Sequence, residues 1–115
     1  MHDATRTFAQ TNIFEMITRL VKLTFAEQHV PTFIQIFESS KNLIRAFEGC
    51  EHVELLNDVE NPNIFFTRSI WRSETDLNLY RESELFQTTW AKTKILFSDK
   101  PHAWSTKILK EGIIE

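Results

Sequence analysis

Between Ile13 and Phe25 apolar side chains fall on both alternation sets of an extended chain: Phe14, Met16 and Leu20 on one, Ile17, Val21, Leu23 and Phe25 on the other. Successive side chains of a strand point to opposite sides, so such a segment needs cover on both of its faces. The stretch from Ile64 to Arg72 repeats the pattern, with Ile64, Phe66 and Ile70 alternating against Phe65 and Trp71. A chain with two strands of this kind cannot leave one side of its sheet in water without exposing a large apolar surface.

The segments between and around these strands set their connections. His29-Val30-Pro31 opens a helix, with Pro31 suited to its first position because the missing N–H has no partner there anyway. Phe33, Phe37, Ile44 and Phe47, with Ser40 among them, keep helical spacing, and Glu48-Gly49 ends the helix with a residue able to take a left-handed cap. Cys50 to Val59 reads as a second strand in which Val53 and Leu55 alternate with Glu54 and Leu56. A turn-rich run from Asn57 to Asn63 then leads into the third strand as an antiparallel hairpin. Ser73 through Asp76 forms a helix-opening signal in the aspartate form of a capping box, and Leu77 and Tyr80 start a short helix. Ser83 offers a second N-cap, followed by a stripe of Leu85, Phe86, Thr89, Trp90, Thr93, Leu96 and Phe97 that Lys100-Pro101 terminates. The tail from Ala103 to Ile114 supplies a last strand.

Strand, helix, strand, strand, helix, strand is the βαββαβ order of an α+β, ferredoxin-like domain, an antiparallel four-stranded sheet with its helices on one face. The apolar surplus on the first and third strands then predicts a homodimer with the sheets packed back to back, because apolar surface contributes roughly 25 cal/mol per Å² removed from water.

The 115 residues fit one domain, read here as 13–115 behind a flexible leader over 1–12. Ten Phe and three Trp are a heavy aromatic load for that size, more than the core of one small subunit requires, so part of it is expected at a subunit contact or a pocket. A net charge of −3 with basic residues scattered among acidic ones gives no stripe to track a phosphate backbone, so nucleic acid is not the expected partner. The leader lacks the apolar segment of a signal peptide, and no apolar run approaches the roughly 20 residues of a membrane span. Cys50 is the only cysteine, which excludes an internal disulfide and suits a reducing cytoplasmic location. His29, His52 and His102 lack metal-ligand spacing, and two isolated glycines cannot build a phosphate loop; no metal and no cofactor is expected.

Three short segments carry a family resemblance: Ile44-Arg45-Ala46-Phe47-Glu48-Gly49-Cys50, Ser69-Ile70-Trp71-Arg72-Ser73 and Ser83-Glu84-Leu85-Phe86. In that order and spacing they resemble the "I-R-x-x-P-G-C", "x-x-W-x-S" and "S-x-x-F" patterns of the antibiotic biosynthesis monooxygenases, dimeric α/β-barrel proteins. Glu48 replaces the usual proline of the first pattern. The resemblance implies a pocket between sheet and helices, used in some members for cofactor-free oxygenation of aromatic polyketides and in others for haem breakdown. The haem branch expects a histidine where this chain has Trp90, and an asparagine near Ile17-Thr18-Arg19, so haem is the less favoured reading.

The expected site therefore centres on Trp71, at the end of a buried strand, with Trp90, Tyr80, Phe86 and Arg68 as further contacts to a small aromatic ligand. His52 is the candidate general base and Arg19 the candidate holder of an anionic or enolate oxygen. Each has a plainer reading: Trp71 and Trp90 as core, His52 as a surface imidazole, Arg19 and Arg68 as partners of surface carboxylates. The expected activity is cofactor-independent monooxygenation of a small aromatic or quinol-type molecule. The alternative is a non-catalytic ligand-binding or stress-associated dimer.

Overall fold

The computed structural model describes residues 12–114. Of the expected leader, 1–11 lies outside the described residues. Four strands, β1 (Ile17–Thr24), β2 (Cys50–Asn57), β3 (Ile64–Trp71) and β4 (His102–Thr106), and three α-helices, α1 (Val30–Arg45), α2 (Glu74–Arg81) and α3 (Glu84–Lys94), follow one another in the predicted βαββαβ order, with the second crossover made of two helices. The strands lie in the order β2-β3-β1-β4, every neighbouring pair antiparallel. This is the ferredoxin-like arrangement, with the two doubly apolar strands at the centre of the sheet.

Local chemistry sets the helix boundaries. Pro31 occupies the second position of α1 rather than the first, still within the turn whose N–H groups have no helical partner. At the start of α2 the Ser73 hydroxyl accepts from the Asp76 N–H at 3.1 Å and donates to the Asp76 carboxylate at 2.9 Å. Ser83 does two jobs at the next boundary: it accepts from the Phe86 N–H at 3.1 Å and donates to the Tyr80 carbonyl at 2.6 Å, which ties the end of α2 to the start of α3.

Several element boundaries differ from the sequence expectation. Residues 13–15 form a turn, because the Asn12 side chain accepts from the Phe14 N–H at 2.9 Å and its carbonyl accepts from the Glu15 N–H, also at 2.9 Å; β1 starts only at Ile17. β2 stops at Asn57, where the Asp58 carboxylate takes up the N–H groups of Glu60 and Asn61 at 3.0 and 2.8 Å. β4 stops at Thr106 because its only neighbour, β1, begins at Ile17 opposite that end, leaving 107–114 nothing to pair with. The left-handed residue is Gly49, at φ 88°, but α1 has already ended at Arg45; Gly49 turns the chain into β2 instead of capping the helix. A Cβ there would lie 2.4 Å from the Cβ of Asp76, so the turn demands glycine on two counts.

Two apolar clusters fill the space between sheet and helices. One is Leu23, Phe25, Phe33, Phe65 and Leu96; the other is Ile44, Cys50, Trp71 and Leu77. The opposite face of the sheet presents Leu20, Phe66 and Ile70, half-buried, with Leu56 at 41% and Trp104 at 48% exposure. Among the described residues no helix is long and apolar enough to cross a membrane.

Candidate functional site

The registers set three rungs of side chains beneath the helices along the cavity, next to the core rung of Cys50, Trp71 and Ile17, and their character changes along the sheet. One rung runs Val53, Ser69, Arg19, Ser105 across β2, β3, β1 and β4; the next is Leu55, Thr67, Val21, Ala103; beyond it lie Phe65 and Leu23. Residues directly opposite in a ladder share a face, so polar groups collect at one end and aromatic and aliphatic groups at the other. Over this gradient α1 brings Phe33, Ile36 and Ile44, α2 brings Tyr80 and Arg81, and α3 brings Phe86, Trp90 and Thr93. Between the layers remains a cavity of about 350 Å³, lined at β4 by Pro101, His102 and Ala103. This size and largely apolar lining are those of a small-molecule site.

Arg19, Tyr80, Phe86 and Trp90 all line the cavity; Trp71, His52 and Arg68 do not. Trp71 is 0% exposed, stacked on Tyr80 with ring centres 4.8 Å apart, and its indole N–H donates to the Ser69 hydroxyl at 2.9 Å. It is a core residue lying behind the cavity wall, with no surface left for a guest. His52 is turned outward by a register shift in β2: Cys50 pairs with Trp71 on the inner face, but His52 pairs with Ile70 on the outer one. The irregularity breaks the simple alternation by which Cys50 and His52 would share a side. Arg68 is likewise on the outer face, where one carboxylate serves both residues: Glu54 bonds the His52 ring at 2.8 Å and the Arg68 guanidinium at 3.1 Å. The His52 contact first, and then Arg68, hold the Glu54 carboxyl below the usual carboxylate range. Of the expected site residues, Trp71 and Arg68 thus lie outside the cavity lining, and His52, expected as the base, stands on the opposite face of the sheet.

Arg81, His102 and Ser69 also line the cavity, although the sequence marked none of them as a site residue. A basic residue in the last turn of a helix ordinarily answers the helix dipole, which gave Arg81 no distinguishing mark. Ser69 became visible only through register, as the pairing partner of Arg19 and the acceptor for Trp71. Arg19 reaches the other way along its rung, donating from Nη1 to the Ser105 hydroxyl at 2.9 Å. Burial, and after it the neighbouring Arg81 charge, lower the Arg19 pKa from its ordinary value. Burial also pushes the Tyr80 phenol well above the ordinary tyrosine range, so it remains a neutral hydrogen-bond donor. Among the described residues no group of three or more His, Cys, Asp and Glu is placed to hold a metal ion.

The cavity walls continue into the core as a series of touching rings. Tyr80 meets Phe86 edge-on at 5.4 Å, Phe86 stacks on Trp90 at 5.9 Å, and Trp90 meets Phe97 at 5.5 Å. Phe97 then stacks on Phe25 at 5.4 Å. Interior packing of this kind fixes the positions of the cavity walls.

Comparison with known proteins agrees with this architecture. A conserved protein from Methanosarcina mazei Go1 superposes with a TM-score of 0.80 at 18% identity, over 87% of this chain and 97% of its own. A Nitrosomonas europaea protein, named as a candidate antibiotic biosynthesis monooxygenase, gives 0.78 at 12% identity over 83% and 91%. One from Caulobacter crescentus CB15, named in the same way, gives 0.78 at 12% over 90% and 99%. Comparison with curated protein sequences yields no significant match. The family model for antibiotic biosynthesis monooxygenases matches residues 16–92, a span that runs from the start of β1 into α3 and takes in most of the cavity wall. The chain belongs to the antibiotic biosynthesis monooxygenase family.

Proposed function

We propose that this protein is a cofactor-independent monooxygenase that oxidises a small aromatic or quinol-type molecule in the cavity between sheet and helices. The observation that carries this reading is the cavity itself, about 350 Å³ and walled by Tyr80, Phe86 and Trp90. Family membership supports a monooxygenase-type activity. The chemistry is substrate-assisted. An electron-rich phenol or anthrone loses a proton to water at the cavity mouth, and the resulting carbanion passes its electrons to dioxygen. A carbon–oxygen bond forms, and loss of water from the hydroperoxide leaves a carbonyl; one oxygen atom ends in the product and the other in water. The protein's share is to orient the ring, keep bulk water from it, and stabilise negative charge on the substrate oxygen with Arg19 and the neutral Tyr80 hydroxyl.

A non-catalytic binding role is the competing reading, favoured by the outward position of His52, which removes the expected base from the cavity. Oxygen consumption decides between them. With anthrone or naphthoquinol as substrate, the oxygenase reading expects uptake above the spontaneous rate, reduced at least about tenfold in Trp90→Ala while that variant stays folded. Saturable binding without uptake would leave the binder.

The functional unit in this proposal is a homodimer joined through the outer faces of the two sheets. Leu20, Leu56, Phe66, Ile70 and Trp104 make that face apolar enough to favour a second copy over water. Sedimentation equilibrium tests it: Phe66→Glu should give a monomer, and a parent protein that is monomeric at high concentration would end the dimer proposal.

A further inference from the structure

The cavity's charge is opposite to that of the whole chain. The protein carries a net −3, yet among the described residues no Asp or Glu lines the cavity, whereas Arg19 and Arg81 both do. Of the other arginines, Arg68 bonds Glu54, Arg72 bonds Glu48 and lies near Glu51, and Arg45 donates to the Cys50 carbonyl at 2.8 Å. No carboxylate among the described residues pairs with Arg19 or Arg81; Arg19 is held only by the neutral Ser105 hydroxyl. Two guanidiniums facing one largely apolar space repel each other, and partial burial weakens the solvation of Arg19, so both costs are relieved by an anion placed between them.

We propose that the cavity selects amphipathic organic anions, with a carboxylate head seated between Arg19 and Arg81 and a flat apolar body lying along Phe86, Trp90 and Phe33. This rests on the small-molecule reading of the cavity and adds the class of its guest. The gradient along the sheet supplies the orientation. Ser69, Arg19 and Ser105 form a polar rung at one end, and Leu23 with Phe33 form an apolar end two rungs away. Guanidinium groups match carboxylates in planar, two-bonded geometry, and the Ser69 hydroxyl, which already accepts from Trp71, has its own proton left to donate at the same place. Arg81, exposed at the end of α2, is reachable from solvent, whereas Arg19 is half-buried beneath it. The head would thus meet Arg81 on entry and settle on Arg19.

The test compares two probes of one shape, 2-naphthoate and 2-naphthamide, by titration calorimetry on the full chain. The clamp expects naphthoate to bind at least about tenfold tighter than naphthamide, the scale of one charge-assisted hydrogen-bonded pair. Added salt should narrow the gap. Arg81→Met, on the exposed rim, should lose most of the preference without affecting folding, and Arg19→Met should lose it too. Unchanged naphthamide affinity reports an intact cavity in each variant. Arg68→Met, on the other side of the sheet, should retain the preference. Equal affinity for the two probes, or a preference that survives both cavity-arginine variants, overturns the clamp while leaving the cavity as a small-molecule site. If neither probe binds, the clamp and the cavity reading fall together. Absence of oxygen uptake alongside a preserved carboxylate preference would remove the oxygenase and leave the clamp.

Discussion

Trp71 and Ser69 are two residues apart on one strand, and the indole N–H of the first donates to the hydroxyl of the second at 2.9 Å. Alternation puts both on the inner face, Trp71 fully buried and Ser69 at the cavity wall. Ser69 is thus the point at which the tryptophan's polar edge is satisfied and the cavity's polar rung begins. A tryptophan held in this way stabilises the site from behind.

Replacing Trp71 by Phe removes that hydrogen bond and part of the ring's volume, at a cost of about 2 kcal/mol; Trp71→Ala should cost about 3–5 kcal/mol. Urea denaturation checks both. The Phe variant should still bind 2-naphthoate as the parent does, and a loss of binding without loss of stability would reassign Trp71 to ligand contact.

Tyr80 is the chain's single tyrosine, so its ionisation can be followed alone at 295 nm. Burial raises its folded pKa above the unfolded value of about 10, so the folded state resists deprotonation. The Tyr80 contribution to folding stability should therefore be level below pH 10 and turn unfavourable as the pH rises beyond it, where only the unfolded chain gives up the proton. The tyrosinate absorbance should appear together with unfolding, whereas in denaturant it appears near pH 10. A reversible step near pH 10 in the folded protein would show the phenol to be solvated.

Gly49→Ala should be strongly destabilising for its size, by about 2 kcal/mol or more, because alanine is strained at φ 88° and its Cβ meets the Asp76 side chain. Asp76→Ala leaves that Cβ contact in place and removes a helix-cap partner, so it should not rescue the variant. Thermal melts of the two single variants and the double variant measure this.

On the outer face, Glu54 is held ionised chiefly by His52 and also by Arg68. A depressed folded pKa contributes stability above the ordinary carboxylate value, about 4.3, and that contribution is lost as pH falls through the lower folded value. Glu54→Gln should melt below the parent at pH 7, with the gap closing in acid. Melting temperatures across pH 7 to 3 check this, and a gap that does not change with pH would show that the pairing contributes nothing.

The features legible in the sequence were those encoded within a few residues of one another. Ser73 and Ser83 announce their helices because each bonds an N–H three positions ahead. The two central strands declare themselves by apolar side chains on both sides, and the order of elements then leaves little choice of architecture. The cavity lining was legible where alternation held, as for Arg19, and on the helix stripe carrying Phe86 and Trp90. It was hidden where position depends on tertiary structure: one register shift sends His52 outward, and the Arg81 charge comes near Arg19 from an element far away in sequence. The stack of Tyr80 on Trp71, which closes Trp71 off from any guest, is a tertiary contact of the same kind.

Leu23, Phe33 and Ile44 belong to the buried interior and to the cavity lining alike. Such residues cannot be enlarged or trimmed to suit another guest without also loosening the subunit, so changes of selectivity through them are taxed in folding stability. Arg81 escapes that coupling: it stands in solvent at the rim, and its replacement disturbs no packing. Relatives that diverge in what they accept are therefore expected to differ first at this rim position, and only later in the walls.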